Sequence, residues 1–63
     1  MRVSEIVGTW DGILETVKIT VQEFDHGDIF TVLTKPTLDR REMDREEVEE
    51  CVQDLINQGF EKL

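Results

Sequence analysis

Residues 44–60 carry a full set of helix-boundary signals, and they constrain what the remaining residues can do. Asp44 suits the N-cap and Glu47 stands at N3, the spacing of a capping box. Met43 and Val48 take the N′ and N4 positions of a hydrophobic staple. At the far end Gly59 fits the left-handed C′ position, and Phe60 can reach back to Leu55 as in a Schellman motif. Between these caps Val48, Cys51, Val52, Leu55 and Ile56 fall on one stripe at helical spacing. The predicted helix, about 45–58, therefore has an apolar face that something else must cover.

The cover has to come from strands. Trp10-Asp11-Gly12-Ile13 reads as a two-residue type I′ hairpin loop, because Asp-Gly tolerates the positive φ angles that such a loop requires. With Trp10 opposite Ile13, one face collects Ile6, Trp10, Ile13, Val17, Ile19 and Val21, a candidate core. The other face collects Val3, Val7 and Leu14 among Thr9, Thr16 and Thr20, with Glu5 opposite Lys18. Glu15 is the misfit, since it falls on the apolar side opposite Gly8. A second turn at Asp25–Asp28 ends this strand, with Gly27 supplying a positive φ, and the register of the third strand stays open. Pro36 cannot donate to a ladder and closes the sheet. Strands are thus predicted at about 3–10, 13–24 and 29–34, followed by a charged connector at 35–43. The expected fold class is α+β, a three-stranded antiparallel β-meander with one C-terminal helix on one sheet face (β-β-β-α), forming a single domain over 1–63.

A chain of 63 residues buries only about 60% of its unfolded surface, so domains of this size commonly rely on a staple. Cys51 is the only cysteine and His26 the only histidine, which excludes an internal disulfide and a Cys/His zinc site. Self-association is the staple left, and a homo-oligomer is expected. No secretory signal pattern or long apolar run is present, which predicts a cytoplasmic protein without a membrane partner. Fifteen acidic residues against seven basic ones give a formal charge of −8. Such a charge disfavours direct nucleic-acid binding, which needs a positive field, and favours a protein partner with a basic surface.

Catalytic constellations are lacking. Cys51 lies mid-helix on the apolar stripe, where a thiol behaves as a small hydrophobe, and Glu47 and Glu50 would hold it protonated. No glycine-rich phosphate loop, Ser-His-Asp set or HExxH is present, so neither an enzyme nor a cofactor is expected. Glu23, Asp25, His26 and Asp28 gather oxygen and nitrogen donors at one turn, which raises a metal- or ligand-binding regulator as one alternative. The glycine is misplaced for a calcium loop, however, and Asp and Gly are what any tight turn prefers, so no metal ligand is assigned.

Two surfaces remain as candidate sites. Glu46, Glu50 and Asp54 form an i, i+4, i+8 column on the polar side of the helix, flanked by Glu47 and Glu49. Like charges at this spacing each cost about 0.2–0.5 kcal/mol, and only Arg45, ahead of Glu49, offers a counter-charge within the helix. The bland reading is a solvated face, helped by the positive helix N-terminus. The functional reading is a docking surface for a basic partner. In its narrower form the column mimics nucleic acid, its carboxylates recurring every ~6 Å, and inhibits a nucleic-acid-binding protein. Small phage-borne inhibitors are one natural home for such a mimic. The second candidate is the sheet face bearing Val3, Val7 and Leu14, read as a self-association surface. Together these point to a small non-enzymatic interaction module, homodimeric, that binds and blocks or adapts another macromolecule. Arg40, Arg41 and Arg45 are interleaved with Asp39, Glu42 and Asp44 and are expected to neutralise them locally.

Overall fold

The computed structural model describes residues 1–63. In chain order the elements are α1 (Val3–Ile6), β1 (Gly8–Asp11), β2 (Thr16–Phe24), β3 (Gly27–Lys35), β4 (Asp39–Met43), α2 (Arg45–Asn57) and β5 (Glu61–Lys62). The strands form one antiparallel sheet in the order β4-β3-β2-β1-β5. The α+β class with a C-terminal helix is as expected, but the sheet has five strands where three were predicted. No helix is long and apolar enough to cross a membrane.

Helix α2 forms where its boundary signals place it. Asp44 accepts from the Glu47 backbone N–H at 2.8 Å, and the Glu47 carboxylate accepts from the Asp44 N–H at 3.3 Å, completing the capping box. At the C-terminus Gly59 takes φ 91°, a left-handed angle that costs glycine nothing. The Phe60 and Gly59 N–H groups then donate to Leu55 and Ile56 carbonyls at 2.9 and 3.0 Å, the bond pair of a Schellman motif. Val48, Val52 and Leu55 are buried, Cys51 is half-buried, and Ile56 is left 45% exposed at the margin of the stripe.

The first hairpin differs from expectation. Gly12–Glu15 form a four-residue loop, closed by the Gly12 N–H donating to the Glu15 carbonyl at 2.8 Å. Trp10 pairs with Val17 instead of Ile13, and Gly8 with Ile19. Neither Asp11 nor Gly12 adopts the positive φ of a type I′ turn. The shift of four residues is even, so Trp10, Val17 and Ile19 stay on the face assigned to them, and Glu15 leaves the apolar side for the loop. Ile13 leaves with it and is fully exposed. The predicted Glu5–Lys18 pair does not form, because Thr9 faces Lys18 and residues 3–6 are helical.

The second hairpin is tight: Phe24 pairs with Gly27 across Asp25-His26, and Gly27 has φ 139°, the positive angle expected of it. This fixes the third strand, with Val32 opposite Ile19 and Phe30 opposite Val21. After the cis Lys35–Pro36 bond and the turn through Leu38, the connector becomes strand β4, paired from Thr34↔Asp39 to Phe30↔Met43.

All nine buried residues are hydrophobic: Ile6, Trp10, Val17, Ile19, Phe30, Val32, Val48, Val52 and Leu55. They fill one layer between the sheet and α2, with Val3, Val7, Met43 and Phe60 packed around its margin. The Trp10 indole N–H donates to the Ile6 carbonyl at 3.0 Å, tying α1 to the first strand.

Candidate functional site

The acidic side of α2 is built by the same residues that make the helix. Its first turn carries Glu46 and Glu47, where carboxylates complement the exposed N–H groups. Burial of Val48, Val52 and Leu55 against the sheet turns Glu46, Glu50 and Asp54 outward, and all three are exposed. None of the three makes an ion pair.

Glu47 and Glu49 behave differently from that column. Glu47 is engaged in the capping box. Glu49 accepts from the Met1 amino group at 2.7 Å and lies 3.6 Å from Arg45 Nε. The hydrogen bond from the amino group does most to hold its carboxyl below the usual range, against the opposing effect of burial, and Arg45 adds a weaker pull in the same direction as the amino group. Arg45 also donates to the Met1 carbonyl. The five acidic positions predicted as one site thus divide into an open column of three and two carboxylates with local duties.

A shallow groove between α2 and β4 runs beside this column. Glu47, Glu50 and Asp54 stand on its helix side, Met43, Cys51 and Leu55 form its apolar floor, and Arg41 faces them from the strand. Arg41 is paired with Asp39 at 3.2 Å, as local neutralisation predicts. Arg40 projects from the opposite sheet face, since it pairs with Leu33 and not with an inward residue. The Cys51 thiol is pushed above its ordinary pKa by burial first and by the nearby Asp54 second, with Arg41 opposing weakly. It is therefore a protonated part of the groove floor at neutral pH.

The predicted self-association face is not assembled. Val3 belongs to α1 and Val7 caps it, both half-buried against the core, whereas Leu14 projects from the loop at the other end of β1. The grouping required a strand reaching back to residue 3 and a two-residue turn, and neither exists. The sheet face away from the helices carries Thr9, Lys18, Thr20, Ile29, Thr31 and Leu33 instead. The alternation Ile29, Thr31, Leu33 against Phe30 and Val32 was the signal for it, unusable while the third strand had no register.

At the Asp25–Asp28 turn the Phe24 and His26 rings stack with centroids 5.6 Å apart. No three of its carboxylate and imidazole groups come together in a way that could hold a metal ion. Comparison of the chain with protein-family models, with curated proteins and with solved structures gives no match.

Proposed function

We propose that this chain is a small non-enzymatic interaction module that offers the acidic side of α2 to a basic surface on another macromolecule, which it blocks or adapts. The observation that carries this reading is the open column Glu46, Glu50 and Asp54, exposed and without a counter-ion, on a helix whose other carboxylates are engaged. Two like-charge pairs at i, i+4 cost about 0.4–1.0 kcal/mol together, a burden that solubility alone does not require on one line. A rigid helix with carboxylates ~6 Å apart suits a groove that otherwise tracks phosphates, which supports the narrower form, a nucleic-acid-mimicking inhibitor.

Affinity capture from the native host identifies the partner, and titration of the purified pair tests the site. Reversing Glu46, Glu50 and Asp54 to Lys should weaken binding by at least about tenfold, and salt should weaken the wild-type complex. A partner held equally well by the triple variant would remove the acidic column from the function.

A further inference from the structure

Both helices and the whole buried cluster lie on one side of the sheet, and the other side carries no covering element. Ile29 and Leu33 are half-buried there, and Phe24 remains 45% exposed. Strand register also assigns Lys18, Lys35 and Arg40 to this side, together with Asp11, Glu42 and Glu61. Three cations and three anions cancel, so the formal charge of −8 resides entirely on the rest of the molecule. Two copies meeting through the acidic side of α2 bring negative charge against negative charge. Through this face they do not.

We propose that the open sheet face is an interface between two copies of this chain, stacked sheet to sheet about a two-fold axis. A neutral, threonine-rich face gives no purchase to a strongly charged partner, but it is compatible with itself. An axis lying across the strands, between the Thr31 and Leu33 positions, sets Arg40 of each copy over Glu42 of the other. Packed sheets lie about 10 Å apart, within the combined reach of these two side chains. The face spans β4 to β1, about 19 Å by about 23 Å at ordinary strand dimensions, so pairing covers about 900 Å² in total. That falls below the roughly 1,200–2,000 Å² of stable interfaces and matches a weak, reversible pairing. Both acidic helices stay outward, and the dimer presents two such columns. The pairing does not depend on the basic partner, so either idea can fail alone.

Sedimentation velocity from about 5 to about 500 µM protein reads the pairing directly. The mass should climb from the 7.4 kDa of one chain toward twice that value. Leu33→Glu and, at an exposed position, Lys18→Glu should each weaken pairing by at least about tenfold, while circular dichroism reports whether each variant stays folded. Arg40→Glu and Glu42→Arg should each weaken it, and the double exchange should restore it to within about threefold of wild type. A chain that stays monomeric at the highest concentration overturns the proposal. So does a folded Leu33→Glu or Lys18→Glu variant that pairs like wild type, or a double exchange that restores nothing.

Discussion

Trp10 is the side chain whose loss should reveal most about how this small fold is held. It is 5% exposed, and its indole N–H donates to the carbonyl of Ile6, the last residue of a helix only four residues long. The last carbonyls of a helix have no partner within it, so the indole satisfies an acceptor that the core would otherwise strand. Replacing the indole by benzothienylalanine, which keeps the shape and removes the N–H, should cost about 1–3 kcal/mol for the orphaned carbonyl. Trp10→Phe adds a packing defect and should cost about 2–4 kcal/mol altogether. At roughly 0.05–0.15 kcal/mol per residue the whole domain has about 3–9 kcal/mol, so Trp10→Phe takes a large share of it. Thermal unfolding followed by far-ultraviolet circular dichroism should show the midpoint down by at least about 8 °C for Trp10→Phe. If the benzothienyl chain melts with wild type while Trp10→Phe falls, the hydrogen bond contributes nothing and the reasoning about α1 is wrong.

Four further outcomes are expected. Asp44→Ala removes the acceptor for the Glu47 N–H and should lower stability by about 1 kcal/mol in denaturant titration, with little change in m-value. Glu50→Lys converts two repulsive i, i+4 pairs into attractive ones and should raise stability by about 1 kcal/mol in the same assay, while weakening the proposed docking. Cys51 should react with Ellman's reagent at pH 8 at least about tenfold more slowly in the native state than in denaturant. Because its folded pKa is raised, the stability linked to it is complete below the unfolded thiol pKa and is lost as pH rises through the folded value. Cys51→Ala should flatten that alkaline limb.

What could be read from the sequence divides by range. Asp44, Glu47, Gly59 and Phe60 act on backbone groups within five residues of themselves, so the helix and both its caps were legible. The core side of the first hairpin was legible too, because Trp10, Val17 and Ile19 share a face whether the loop has two residues or four. The loop itself was not: Asp-Gly favours a type I′ turn locally, but pairing Trp10 with Val17 joins two buried residues and frees Glu15 from the core. Strand β4 carried no local signal. Asp39, Arg40, Arg41 and Glu42 are exposed on both faces, and the strand exists because it completes the hydrogen bonds of β3. Val3 and Val7 were misplaced for a related reason, since a four-residue helix leaves no periodicity to detect. For the candidate site, composition and spacing located the acidic column and the cap role of Glu47, but the tie of Glu49 to the Met1 amino group needed the fold.

The route of α2 has a consequence for how the molecule opens. It is entered from β4 and left through β5, the outermost strands on opposite sides, so the helix is fastened to both borders of the sheet. Peeling it away would unzip both margins at once. Its central amides should therefore exchange hydrogen only through the same global event that releases β2 and β3, whereas the hairpin tip at Asp25-His26 exchanges freely. A domain this small has, in that sense, one hinge-free clasp and a single way to come apart.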